Sequence, residues 1–179
     1  MVAVAHRPAD SALFEELAMP LFARLYNFAC WLTRDPAAAE DLVQETYVKA
    51  LKGFSSFQAG TNFRAWMYRI LRNTFLTSQT GLKNVRFEPL DEPADEPETV
   101  DTPESLLLAR MEQQTIQSAL EELPVHFREV ILLCDLEEMT YQEIGQTLGI
   151  PMGTVMSRLS RARRAMRVLL SEKLEGVRR

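Results

Sequence analysis

The segment EPLDEPADEPETVDTPE, from Glu88 to Glu104, divides the chain. Its recurring prolines and carboxylates leave hardly an apolar side chain to bury, so packing cannot offset the entropy of ordering it. Folded structure must therefore form on either side of it. The reading is two domains, residues 1–87 and 104–179, joined by an acidic, Pro-rich linker over 88–103. Of the 179 residues, 46% are apolar and 25% charged, which lets each half build a core.

Both halves read as helices. In the first, Ser11 to Ala18 forms a short helix, because Pro20 suits a first turn better than a helix middle. Leu21, Leu25, Phe28 and Leu32 then recur at steps of three and four, one buried face. Asp35-Pro36 opens the next helix, which carries Leu42, Val43, Tyr47 and Leu51 and stops at Gly53. A third runs from about Asn62 to Thr77, with Phe63, Trp66, Met67, Ile70 and Thr74 on one side and Arg64, Arg69 and Arg72 on the other.

In the second half a helix opens at Thr102-Pro103-Glu104 and reaches Leu123, and another covers Phe127 to Cys134 after Pro124. Thr140-Tyr141-Gln142-Glu143 has the form of a capping box, which fixes the start of a short helix ending near Leu148. Gly149-Ile150-Pro151 breaks it. A long helix follows, burying Val155, Leu159, Ala162, Met166 and Leu169 or Leu170. A short helix, a tight turn and a long basic helix predict a helix-turn-helix. With no β-alternation or internal repeat, the fold class is all-α.

The net charge of −5 argues against a nucleic-acid partner, but its distribution argues for one. Residues 60–87 hold Arg64, Arg69, Arg72, Lys83 and Arg86 with no acid. Residues 151–179 hold eight basic residues against Glu172 and Glu175. Two basic patches on an acidic chain predict two DNA contacts. On the last helix Thr154, Ser157, Arg158, Arg161 and Arg164 point away from the apolar stripe, where Arg can bond guanine bidentately and Ser or Thr can bond bases or phosphates.

Other classes are disfavoured. No apolar run approaches the roughly 20 residues of a membrane span, and Met1 to Asp10 lacks a signal region, so a soluble, cytoplasmic protein is expected without membrane insertion. Cys30 and Cys134 lie far apart in helical stretches and read as buried core thiols, and His126 with Cys134 is a poor zinc pair. His6 and His126 fall in separate halves and form no nucleophile–base constellation; no enzyme activity, metal or cofactor is expected.

Two longer motifs sharpen this reading. AEDLVQETYVKAL followed by FQAGTNFRAWMYRILRN, Ala39 to Asn73, resembles the second conserved region of extracytoplasmic-function (ECF) sigma factors of the sigma-70 family. LPVHFREVILLCDLEEMTYQEIGQTLGIPMGTVMSRLSRARRAM, Leu123 to Met166, is similar to their fourth. The order matches, and the resemblance covers nearly the whole chain. It implies a sigma factor that binds core RNA polymerase and directs promoter-specific transcription initiation. Its partners would be core RNA polymerase, promoter DNA and an anti-sigma factor, and it would be a monomer outside these complexes. The GTNFRAWMYRIL stretch is similar to redox- and stress-responsive members, which points to a stress or envelope response.

The resemblance also assigns roles. Asp41, Gln44 and Glu45 of the DLVQE motif would meet the basic coiled coil of the polymerase clamp. The loop Phe57 to Thr61 and the following helix would read the non-template strand of the minus-ten element. Asn73 would lie near a base pocket and Arg69 and Arg72 on phosphates, with Arg64 and Thr77 completing the set. Trp66 and Tyr68 have rings suited to base stacking; Trp66 lies on the apolar stripe and is assigned to the core, whereas Tyr68 stays open. Ser157, Ser160 and Arg161 would read the minus-thirty-five element, Arg158 and Arg164 would hold phosphates, and Thr154 flanks them. The connector would thread toward the polymerase active centre or act as a plain spacer.

A two-domain helix-turn-helix regulator that binds an operator without core polymerase is the main alternative. Such a protein needs neither the DLVQE face nor a strand-reading helix. A degenerate sigma-like module without promoter recognition is a third reading, opposed by the arginines on both DNA-facing helices.

Overall fold

Capping chemistry sets several of the helix boundaries. The computed structural model describes residues 8–82 and 113–177, and among these all regular structure is helical. The linker, Lys83, Arg86, the helix start at Thr102 and the terminal Arg178 and Arg179 lie outside the described residues. Two compact units form, one from each half of the chain.

The N-terminal unit holds α1 (Pro8–Ala18), α2 (Phe22–Thr33), α3 (Pro36–Gly53) and α4 (Phe63–Leu82), with 3₁₀ turns at Met19–Leu21 and Phe54–Ser56. Pro20 falls in the first of these turns, so Leu21, expected on the helical stripe, lies half-buried ahead of α2. Arg34 closes α2 in a left-handed conformation (φ 61°), donating its N–H to the Cys30 carbonyl at 2.9 Å. Asp35 caps α3: its Oδ1 accepts from the Ala37 N–H at 3.0 Å, and Pro36 fits the first turn because no intrahelical partner is needed there. Leu25, Phe28 and Leu32 of α2, Leu42 and Val43 of α3, and Met67, Tyr68, Leu71 and Phe75 of α4 form the core. The Tyr47 hydroxyl donates to the Ala18 carbonyl at 2.7 Å, tying the end of α1 to α3, and burial pushes its pKa up to about 12.

The C-terminal unit holds α5 (Gln113–Glu122), α6 (Val125–Ile131), α7 (Tyr141–Leu148) and α8 (Met152–Val177). After Ile131 the chain widens into a π turn, Leu132–Leu136, in which the Glu137 N–H reaches the Leu132 carbonyl at 2.9 Å. The expected helix to Cys134 is thus α-helical only to Ile131. The capping box of α7 is present in both directions: the Glu143 N–H donates to Thr140 Oγ1 at 3.3 Å, and the Thr140 N–H to Glu143 Oε2 at 2.7 Å. Gly149 ends α7 at φ 68°, the left-handed region where glycine avoids the Cβ penalty. Gly145 is needed for a different reason. A Cβ there would lie 2.9 Å from the Ile150 carbonyl oxygen, where the turn folds back on α7. Val155, Leu159, Ala162, Met166 and Leu170 of α8 are buried, as are Leu123, Val130, Leu133 and Ile144 of the same chain half; Leu169 is only half-buried.

Candidate nucleic-acid and partner surfaces

Helix α3 turns Leu42, Val43 and Thr46 inward, which leaves Asp41, Gln44 and Glu45 exposed together on the opposite side. Glu45 pairs with Lys49 one turn later at 2.6 Å. Beside Gln44 a shallow groove is lined by Phe22, Tyr26, Glu40 and Val43. Phe22 and Val48 are exposed large apolar side chains bordering this face. Sequence reasoning passed over both. The signal for Phe22 was an apolar ring outside the Leu25–Phe28–Leu32 stripe.

On α4, Arg69, Asn73 and Thr77 stand on successive turns and are exposed. Thr77 Oγ1 donates to the Asn73 carbonyl at 2.8 Å. Arg72 is half-buried to one side. Arg64, five residues before Arg69, is about 140° away around the helix at 100° per residue and does not share that face. The ring expected in the core is the more exposed of the two, and the one left open is buried. Tyr68 is fully buried, its ring centroid 5.2 Å from that of Phe28, whereas Trp66 is half-exposed near the line of Asn73 and Thr77. The Trp66 ring rests on Phe57 and Phe63, at 5.1 Å and 5.5 Å between centroids. The loop leading into α4 is shaped by Gly60 at φ 89° and capped by Asn62, whose Oδ1 accepts from the Ala65 N–H at 3.0 Å.

On α8, Ser160, Arg161 and Arg164 are exposed, and Thr154, Ser157 and Arg158 half-buried. Ser157 Oγ donates to the Thr154 carbonyl at 3.1 Å. Arg158 lies near His126, whose pKa is lowered by burial and then by this cation. Arg163 points elsewhere. Its guanidinium pairs with Asp135 at 2.9 Å and lies 3.7 Å from the Cys134 sulfur, fastening α8 to the π turn. The expectation of buried cysteines is corrected here: both are free thiols and half-buried, Cys134 because it lies at this edge of the turn. Among the described residues, no helix is long and apolar enough to cross a membrane.

Two small helical units in this chain order, the second carrying a helix-turn-helix, correspond to the two conserved regions of a sigma factor. The sigma-70 region 2 family matches residues 17–82 and the sigma-70 region 4 family residues 113–166. The ECF RNA polymerase sigma factor SigE of Mycolicibacterium smegmatis is 36% identical over 164 residues, 89% of this chain and 62% of that one. This chain thus spans under two thirds of that relative's length. The ECF RNA polymerase sigma factor EcfG of Rhodopseudomonas palustris is 34% identical over 82% of this chain and 78% of its own. Among solved structures, the sigma factor RpoE crystallised with the anti-sigma factor NepR from Bartonella quintana matches with a TM-score of 0.68 and 29% identity, over 88% of this chain and 96% of that one. The chain belongs to the ECF sigma factors of the sigma-70 family.

Proposed function

We propose that this protein binds core RNA polymerase through Asp41, Gln44 and Glu45 on α3 and directs it to promoters. Helix α4 would read the minus-ten strand with Arg69, Asn73 and Thr77, assisted by Arg72 and, from another side of the helix, Arg64. Helix α8 would read the minus-thirty-five duplex with Ser157, Ser160 and Arg161, held on phosphates by Arg158 and Arg164, with Thr154 beside them. The observation that carries this reading is the presence of both sigma-70 regions in order in one chain, each with an exposed polar helix face.

The division of labour has a physical basis. Each DNA contact alone is weak and dominated by phosphates. Once polymerase holds the chain, the second contact becomes intramolecular, and avidity rises by roughly 10² to 10⁴ with no added interactions. Opening the duplex costs a few kcal/mol per extruded base, which contacts along α4 must offset. On this reading the working parts are residues 1–87 and 104–179, the linker 88–103 spans between them, and no step is enzymatic. The protein would act in the cytoplasm as a monomer outside its complexes. The likeness to a sigma factor crystallised with an anti-sigma factor supports regulation by such a partner, in a stress or envelope response.

The operator-binding alternative leaves the acidic face of α3 without a use. Purified chain mixed with core polymerase and genomic fragments decides between them. Stable association and run-off transcripts that require the chain are expected. Duplex binding by the chain with no polymerase association would overturn the sigma reading.

A further inference from the structure

Lys49 joins two surfaces that the proposed function treats separately. Its ammonium lies 2.6 Å from Glu45 Oε1 on the exposed face of α3, and donates to Thr74 Oγ1 on α4 at 3.3 Å. Thr74 is buried and next to Asn73, whereas the Glu45 and Lys49 side chains are half-exposed. One cation therefore sits at the edge between the face assigned to polymerase and the helix assigned to single-stranded DNA. A neutral hydroxyl holds its place, and a carboxylate neutralises its charge.

That carboxylate cannot serve two cations fully. The pair has the favourable order, Glu one turn before Lys, but such exposed pairs are weak and yield to a partner presenting several positive groups. When basic groups engage Glu45, Lys49 loses its neutralising partner, while Thr74 still holds the ammonium beside α4. We propose that Lys49 is a switched phosphate contact: masked by Glu45 in the free chain, it is released to the DNA backbone along α4 when polymerase takes Glu45. Linkage makes the effect reciprocal, because a phosphate that engages Lys49 frees Glu45 for polymerase. The inference rests on the reading of α3 as the polymerase face.

The test uses the full chain with Lys49→Met, Lys49→Gln and Lys49→Arg, alone and as holoenzyme with core polymerase. The ligand is a fluorescent pool of randomised single-stranded DNA, titrated over a series of KCl concentrations. A backbone contact needs no sequence, so a random pool suffices. In the holoenzyme, the two neutral variants should weaken binding about three- to tenfold at low salt. They should also flatten the log–log salt dependence by about 0.7, the slope that one neutralised phosphate contributes on a single strand. Lys49→Arg should restore both, and in the free chain the neutral variants should have a smaller effect, because Glu45 competes there for the ammonium. An unchanged slope in the holoenzyme, or an equal change in the free chain, would overturn the assignment of Lys49. Failure of the unmodified chain to form holoenzyme, seen before DNA is added, would remove the reading of α3 and this inference with it.

Discussion

Arg128 Nε donates to the carbonyl oxygen of Leu120 at 2.7 Å, and the two residues are buried together where α5 ends. The Nη2 of the same guanidinium donates to the Glu121 and Leu123 carbonyls, each at 2.8 Å. The last turn of a helix leaves carbonyls without intrahelical partners and carries partial negative charge, and this side chain answers both. Arg128→Met should therefore destabilise the C-terminal unit by about 3 kcal/mol, because buried acceptors lose a charged donor. Circular dichroism melting reads the loss. Both tryptophans, Trp31 and Trp66, lie in the N-terminal unit, so the midpoint of their fluorescence transition should stay fixed. A matching shift in both signals would contradict a local capping role.

The two glycines of the helix-turn-helix should respond differently. In an open helix Gly→Ala is stabilising by about 0.5–1 kcal/mol. Gly145→Ala should instead destabilise by about 1–3 kcal/mol, since its new methyl would press on the Ile150 carbonyl at 2.9 Å. A Cβ at Gly149 would meet nothing within 4 Å, so only the left-handed backbone opposes it, by about 1 kcal/mol. Gly149→Asn should be better tolerated than Gly149→Ala, whereas Gly145→Asn should be worse than Gly145→Ala. Thermal melts of the four variants decide the ranking.

Cys134 should be a slow thiol. Burial, followed by the Asp135 carboxylate, pushes its pKa up to about 11, and Arg163 only partly opposes them. At pH 8 the thiolate is then about one part in a thousand, and only the thiolate attacks alkylating agents. Iodoacetamide should label Cys134 in the native chain orders of magnitude more slowly than in urea, as read by peptide mass spectrometry. Asp135→Asn should speed the native reaction by removing one of the raising influences. No change would mean that access rather than ionisation limits it.

The places where sequence reasoning succeeded and failed have a common cause. The Asp35-Pro36 start of α3 and the Thr140–Glu143 box of α7 are local, made by residues within one turn, so the chain states them directly. Arg128 could not be found that way. An arginine in a helical stretch ordinarily faces water, and its burial depends on α5 and α6 meeting at an angle that no periodicity records. The placement of Trp66 and Tyr68 has the same origin. Helix α4 packs against both α2 and α3, so its buried arc is wider than one stripe and takes in Tyr68, leaving Trp66 at the rim. The exposed set Asp41, Gln44 and Glu45 follows from inward Leu42 and Val43, whereas the role proposed for it rests on the motif.

The half-exposed Trp66 gives α4 a flat π surface near the line of Asn73 and Thr77, backed by Phe57 and Phe63. Stacking of an unpaired base on such a ring contributes about 1–3 kcal/mol. Trp66→Leu should therefore slow promoter opening by roughly 5- to 160-fold, the rate equivalent of that energy. Trp66→Phe should retain most of the activity. Binding of the holoenzyme to duplex promoter fragments should change little in either variant. Equal loss of duplex binding and opening would mean that the ring only supports the aromatic cluster.

Arg161 and Arg163 are neighbours in a run of basic residues, yet α8 sends them to different work. Arg163 is spent on Asp135, and an exposed pair of this kind contributes at most about 1 kcal/mol. Arg163→Ala should leave base preference unaltered, with a small loss of stability that Asp135→Ala reproduces. Arg161 is exposed, as is Arg164 one turn away. Arg161→Ala should lower promoter-dependent transcription and relax the preference at one base pair, since a bidentate Arg–guanine contact is worth about 1–3 kcal/mol of discrimination. Arg164→Ala should weaken all sequences alike, as a phosphate contact does. Selection of randomised minus-thirty-five sequences by each holoenzyme separates the cases. If Arg161→Ala depressed every sequence equally, the side chain would hold the backbone rather than read a base, and base reading would fall to Ser157 and Ser160.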